Sequence, residues 1–301
     1  MPDQSLAKAN AAVAGKGTIP KLIAKNAAIL KSAGIDTPEN EIEIMLCYLL
    51  DVNRLNLYLH GENLIDHKVI DKLDKMVARR ATRYPLQMIL NEYWFYGRKF
   101  FVNDDVMVPA PETEILCQGA LTYLNSNGTR APRIVDIGTG SGVIAVTLAA
   151  EFNGSSIVAL DISKAALRVA EKNAQTHKVA NRIEFRESDL MDRIKKNEKF
   201  DLIISNPPYV TEEEYKTLAP EVHADPKISI TSGEDGLDAI RVILKKAPDY
   251  LSHGGRIMIE VGHNHAAIIS QITEADQRYN SISVLKDLND FDRIVILTCK
   301  N

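Results

Sequence analysis

Several apolar runs in this sequence stop at residues that could do chemistry. Leu202 to Ser205 is branched and apolar and halts at Asn206, Pro207, Pro208 and Tyr209. Two consecutive prolines remove two backbone donors, end the strand, stiffen the loop and hold Asn206 extended. The Asn206 side-chain oxygen and the Pro207 carbonyl are two acceptors that suit a partner carrying two N–H bonds. Read alone, the tetrapeptide is equally an ordinary rigid turn in which Asn206 bonds locally.

Upstream, a β-branched run enters Asp136-Ile137-Gly138-Thr139-Gly140-Ser141-Gly142. Glycines at such a point permit a tight turn and close approach of a ligand to the backbone. The spacing is G-x-G-x-G, not the G-x-G-x-x-G of dinucleotide binding, so a pyrophosphate is not the obvious ligand. Asp161 ends the next run, 25 residues after Asp136, where a carboxylate can accept from both hydroxyls of a ribose; its bland alternative is to cap the following helix, although Ser163 could do that. Asp189, followed by Leu190, ends a third run, where a carboxylate could accept from an adenine amino group. Three strand-end signals in register describe an adenosine-bearing cofactor lying across the carboxyl edge of a sheet.

These residues need a scaffold. Strands are expected at Arg133–Ile137, Ser156–Asp161, Arg182–Arg186, Phe200–Ser205 and Arg256–Val261, with a closing pair near Ile282–Lys286 and Arg293–Thr298. Helices are expected near Val143–Phe152, Lys164–His177 and Leu237–Leu251. This alternation predicts a doubly wound, mostly parallel sheet with ligands outside the carboxyl ends of its strands. Before it, Lys21 to Arg83 has a helical period: Ile42, Met45, Leu46, Leu49 and Leu50 share one face, behind Thr37 as N-cap and Pro38 at the first helical position, and Val69, Leu73, Met76 and Val77 repeat the pattern. The division expected is a loose lead-in over 1–19, a helical domain over 20–85, an aromatic hairpin linker over 86–114 and a catalytic domain over 115–301.

At 301 residues, with 45% hydrophobic and 25% charged residues, the chain can bury a sizeable core and is no disordered or fibrous protein. Net charge is −4, and the helical region carries ten basic against nine acidic residues, so neither offers a basic face to nucleic acid or an anionic membrane. Cys47, Cys117 and Cys299 are widely spaced, which suggests neither a disulfide framework nor a zinc site. The N-terminal residues lack an apolar signal core and no segment reaches the ~18 apolar residues of a membrane span, so a cytoplasmic monomer is expected. His253, His263 and His265 lack metal-ligand spacing, and no acidic residue or histidine close to the tetrapeptide in sequence is an evident general base.

Together these motifs resemble the class I S-adenosylmethionine-dependent methyltransferases, and five stretches resemble one family in particular. They are Phe95 to Glu114, Asp136 to Gly142, Ser205 to Val210, Glu221 to Asp238 and Asp292 to Leu297, and they are similar to the HemK/PrmC family of glutamine methyltransferases that modify peptide chain release factors. The likeness runs from about Lys21 to the C-terminus. It implies a Rossmann-like fold with an antiparallel closing strand, S-adenosyl-L-methionine as cofactor with S-adenosyl-L-homocysteine as product, and a release factor whose Gly-Gly-Gln glutamine is methylated on its amide nitrogen, affecting translation termination. Cofactor contacts then fall on Asp136, Gly138, Thr139, Gly140, Ser141, Gly142, Asp161, Asp189, Leu190 and Asn206. Substrate contacts fall on Asn206, Pro207, Pro208 and Tyr209, of which Asn206, Pro207 and Tyr209 are catalytic. The family usually has Pro-Arg-Pro where this chain has Pro109-Ala110-Pro111, so a guanidinium contact there is lost.

An amide nitrogen is a weak nucleophile because its lone pair is delocalised into the carbonyl. Fixing its two N–H bonds on Asn206 and Pro207 would aim its remaining face at the methyl–sulfonium bond and stabilise the positive charge that develops. Tyr209 would pack on the planar amide. Aromatic residues from Phe95 to Phe101 could wall the cofactor or simply form core, and Pro111, Glu112 and Thr113 could line its methionine side. Competing readings are a ribosomal-protein glutamine methyltransferase, an adenine-N6 DNA methyltransferase, which would need to flip a base and grip phosphates, and a cofactor-binding regulator without catalysis.

Overall fold

The computed structural model describes residues 17–59 and 61–300, which fall into two compact units. Residues 1–16, most of the expected lead-in, lie outside the described part; within it Thr18 bridges Leu64 and a helix starts at Ile19.

The first unit comprises helices α1 (Ile19–Ser32), α2 (Pro38–Leu50), α3 (Arg54–Leu59), α4 (His67–Arg80) and α5 (Leu86–Leu90). The apolar stripes meet: Leu30, Ile42, Met45, Leu46, Leu73 and Val77 form its core, while Leu49, Leu50, Val69 and Met76 pack around them. Pro38 takes the first helical position as expected, but the Thr37 side chain makes no capping bond. Its ψ of 59° lies outside the extended range that aims a cap hydroxyl at the N2 or N3 amide. Asp66 does cap α4, accepting from the Lys68 N–H at 2.7 Å. A short piece from far along the chain, Pro220–Ala224, belongs to this unit, where the Glu221 carboxylate receives Arg83 at 2.6 and 2.8 Å and Arg80 at 2.9 Å.

The second unit opens with the hairpin β1 (Tyr93–Phe95) and β2 (Arg98–Phe100) and continues with α6 (Thr113–Ser126), β3 (Arg133–Ile137), α7 (Val143–Glu151), β4 (Ser156–Asp161), α8 (Lys164–Thr176), β5 (Ile183–Glu187) and β6 (Phe200–Ser205). It ends with α9 (Glu212–Tyr215), α10 (Asp238–Lys246), β7 (Leu251–Glu260), α11 (Ala266–Ala275), β8 (Tyr279–Lys286) and β9 (Asp292–Cys299). The stretch expected as a linker divides: α5 belongs with the helices, and the hairpin with the sheet unit, where Phe95 and Phe100 meet edge-on in the core.

Seven strands form one sheet in the order β5-β4-β3-β6-β7-β9-β8, parallel from β5 through β7, with β9 antiparallel to both neighbours. Strands β3, β4 and β6 are almost wholly buried, as their near-continuous apolar runs require when helices cover both faces. The chain winds outward from β3 to β4 and β5, then returns to place β6 on the other side of β3, so the switch point lies between the carboxyl ends of β3 and β6. The Ser205 hydroxyl donates to the Ile137 carbonyl at 2.7 Å and pins those two ends together. No helix among the described residues is long and apolar enough to cross a membrane.

Candidate active site

At the switch point the chain leaves β3 through the glycine loop. Gly138 and Gly140 have φ of +72° and +54°, and a Cβ added to either would meet nothing within 4 Å, so side chains there would project into open space. The Gly138 and Thr139 N–H groups donate to the Leu160 carbonyl at 2.8 and 2.9 Å, which ties the loop to the end of β4. Gly142 differs: its Cβ would lie 2.9 Å from that of Ala170, so it serves close packing of α7 on α8. Asp136 is wholly buried beneath the loop and accepts from the Thr139 hydroxyl at 2.6 Å; burial pushes its carboxyl up to about 7 despite that bond.

Asp161 holds the loop's other side. Its Oδ2 accepts from the Gly140 N–H at 2.8 Å and its Oδ1 from the Ser163 N–H at 2.9 Å. Burial raises its pKa against those bonds. The cap of α8 is Ser163, which accepts from the Ala166 N–H at 3.2 Å, so Asp161 is spared that role. Leu190 has a φ of +44°, unusual for a branched side chain, with its carbonyl accepting from the Ser188 hydroxyl at 2.9 Å.

After β6, Asn206 Nδ2 donates to Thr113 Oγ1 at 3.0 Å, and Thr113 Oγ1 donates to Glu260 Oε2 at 2.7 Å. Three elements therefore converge: the end of β6, the first turn of α6 and the end of β7. Beyond the tetrapeptide, Val210 exchanges hydrogen bonds of 2.9 Å with Ile230 and Ser232. Gly236 presses on the Tyr209 carbonyl so closely that a Cβ would lie 2.2 Å from its oxygen. The Tyr209 ring sits edge-on to His265 at 6.3 Å, and burial pushes its phenol well above the ordinary range. Burial also lowers the His265 pKa.

These pieces enclose one cavity of about 450 Å³. Of the expected site residues, Gly138, Thr139, Gly140, Ser141, Asp161, Asp189, Leu190, Asn206 and Pro208 line it, whereas Asp136, Gly142, Pro207 and Tyr209 are not among the lining residues. Phe95 and Phe100 are core residues, and Phe101 packs under the Lys172 ammonium, 3.0 Å from its ring centroid. The cavity also draws on residues within 105–109 and 226–233, which lie in two of the stretches that carry the family resemblance but have no ligand role assigned from the sequence. Asp225, just before the second, accepts from the Val108 N–H in the first at 3.1 Å. Glu260 has no role assigned from the sequence: it lies one residue inside the expected strand Arg256–Val261, and its partner Thr113 is 147 residues away. Gly233 at the end of the second segment and Gly236 just after it both have positive φ.

The residues fit an adenosine-bearing cofactor: an open glycine cradle and a strand-end carboxylate both line a cavity of ordinary ligand size.

Residues 21–90 match the family model described as the PrmC N-terminal domain, and residues 118–227 match that of the methyltransferase small domain. The release factor glutamine methyltransferase of Cereibacter sphaeroides is 38% identical over 88% of this chain and 93% of its own length. That of Fusobacterium nucleatum is 35% identical over 90% of this chain and 76% of its own. Among solved structures, the hMettl16 catalytic domain in complex with a MAT2A 3'UTR hairpin covers 75% of this chain and 82% of its own at 16% identity, with a TM-score of 0.56, a likeness of fold alone.

Proposed function

From the premise that the chain belongs to the release factor glutamine methyltransferase family, we propose that it methylates the side-chain amide nitrogen of the Gly-Gly-Gln glutamine of a peptide chain release factor. One observation carries this reading: Asn206 and Pro208 line the same cavity as the glycine loop, Asp161 and Asp189. An amide-orienting group and a nucleoside-binding edge thus share one enclosure.

S-adenosylmethionine, when bound, supplies a methyl group on a sulfonium, an electrophile that needs no metal. Gly138 and Gly140 leave room for it, Asp161 takes the ribose through the lone pairs left beside its two backbone bonds, and Asp189 with Leu190 flanks the adenine. Asn206 Oδ1 and the Pro207 carbonyl each accept one N–H of the glutamine carboxamide, and the fixed nitrogen turns its remaining face to the methyl group. Those acceptors stabilise the charge that develops on nitrogen, and the methylated nitrogen, now acidic, gives up one N–H proton to water or to the acceptor already bonded to it. Pro208 stiffens the lining, and Tyr209, whose ring is edge-on to His265 and does not line the cavity, braces the loop instead of packing on the substrate amide as expected from the sequence. The helical unit provides surface for the folded factor, because a glutamine between glycines offers too few contacts to be selected by the cavity alone.

Labelled S-adenosylmethionine incubated with purified release factor, ribosomal protein and DNA tests the reading. Label on the release factor glutamine is expected; label on another acceptor alone overturns it.

A further inference from the structure

Glu260 is fully buried at the end of β7, and the methyl transfer as described makes no use of its carboxylate. Its Oε2 accepts from Thr113 at 2.7 Å, Thr113 accepts from Asn206 Nδ2 at 3.0 Å, and Oε1 makes no hydrogen bond. A threonine hydroxyl has one proton to give. With Glu260 ionised, that proton is committed to Oε2, so the Thr113 oxygen can only accept and the Asn206 amide must turn its N–H toward it. Oδ1, the atom the glutamine amide requires, is left for the cavity.

We propose that Glu260 is a positioning residue that sets the polarity of the Asn206 side chain through Thr113, and that it does so in its ionised form. The inference rests on Asn206 being the acceptor for the substrate amide. Protonation of Oε2 reverses the chain: the carboxyl donates to the Thr113 oxygen, the Thr113 hydroxyl turns to donate a hydrogen bond to Asn206 Oδ1 as the amide flips, and the amide now shows N–H to the cavity. That N–H opposes the N–H of the substrate, and the nitrogen is no longer aimed.

The groups around Glu260 place this switch in an accessible range. Burial raises its carboxyl to about 7, against the Thr113 bond and the Arg293 charge on β9; Glu112, before α6, raises it further, hydrogen bonding from the Tyr209 phenol lowers it, and Cys117 on α6 is a further titratable neighbour. One pH unit below the midpoint only about a tenth of the carboxyl is ionised.

Asp136 and Asp225 also titrate near pH 7, so the readout is the difference between two proteins. The kcat of the wild-type enzyme on intact release factor is expected to fall about tenfold between pH 8 and pH 6. Glu260→Gln, which can keep a carbonyl oxygen on Thr113, should lose that acid limb while still binding cofactor. Thr113→Val should lower kcat ~10–100-fold with little change in cofactor Kd, and Thr113→Ser should recover most of the loss. An acid limb unchanged in Glu260→Gln, or a wild-type kcat in Thr113→Val, overturns the proposal. A second measurement needs no turnover. In the cofactor complex, the Asn206 side-chain ¹H–¹⁵N signals should shift with the midpoint of the ¹³C-labelled Glu260 carboxyl, and cease to do so in Thr113→Val. Flat Asn206 signals beside a titrating carboxyl overturn the coupling. Absence of methylation on every acceptor would instead defeat the proposed function, with the titration still deciding the coupling.

Discussion

Asp161 Oδ2 accepts the Gly140 N–H at 2.8 Å, so the strand-end carboxylate both faces the cavity and fixes the glycine loop opposite it. Asp161→Ala removes the proposed ribose acceptor and one anchor of the loop. Cofactor binding should weaken by about 1.5–3 kcal/mol, the scale of hydrogen bonds to a charged group. Calorimetry on the purified variant reads this directly, and an unchanged Kd would remove Asp161 from the cofactor site.

Two glycines of the same loop should fail in different ways. At Gly140 a Cβ meets open space, so Gly140→Ala acts through its φ of +54° and through the volume it takes from the cradle; the main loss is cofactor affinity. At Gly142 the Cβ would meet Ala170 at 2.9 Å with φ at +81°, so Gly142→Ala overpacks α7 against α8. A loss of ~1–3 kcal/mol in stability is expected there, seen as a lower Tm in the absence of cofactor. Equal effects on Tm and Kd in both variants would refute this separation.

Asn206→Ala should leave cofactor affinity nearly intact and lower kcat ~10²–10³-fold, the usual result of deleting one oriented group at the developing charge. Single-turnover rates at saturating release factor measure it. Near-full turnover would reduce Asn206 to a turn residue.

The catalytic edge was legible because each of its parts breaks a local pattern. Asn206 and the prolines interrupt an apolar run, the glycines sit where a strand must become a helix, and Asp161 is polar at the end of a buried strand. Strand interiors followed from unbroken β-branched runs, with differences confined to ends, as at β7, which starts at Leu251 and absorbs two glycines before Arg256. Helix α6 was hidden because its first turn reads as the end of a proline-rich linker, and α11 because its start coincides with the His263–His265 loop. The network through Thr113 and Glu260 joins residues 147 apart in sequence. No window of sequence contains both, and only the fold of α6 against β7 brings them together.

Glu221 supplies a pH test of the helical unit. Burial disfavours its charge, but hydrogen bonds from Arg83 and Arg80 outweigh that and lower its carboxyl to about 2. A depressed carboxyl stabilises the fold above its unfolded pKa of about 4.3 and loses that contribution as pH falls toward the folded value. Wild-type stability should therefore decline between about pH 4 and pH 2 more steeply than that of Glu221→Gln, which has nothing to titrate there. Parallel denaturation curves across that interval would show that the pair contributes nothing.

The same pair governs how docking by the helical unit must be tested. Deleting the helices would strip Arg80 and Arg83 from Glu221, so a slow truncated enzyme would report a damaged loop as readily as a lost docking surface. Point changes on the helical surface avoid this. Leu55 and Leu59, on α3, are each 68% exposed, and Tyr58 beside them is 54% exposed while its hydroxyl is held by Glu43. Apolar side chains left in solvent on one short helix suit contact with a folded protein. Leu55→Asp with Leu59→Asp adds charge there without opening a cavity. The double variant should raise KM for intact release factor at least about tenfold, a loss of roughly 1.4 kcal/mol, with cofactor Kd unchanged. Its rate on a short Gly-Gly-Gln peptide, already poor for the wild type, should not change. If the variant keeps the wild-type KM for the intact factor, or if the wild type methylates the peptide as well as the factor, recognition lies elsewhere than on this face.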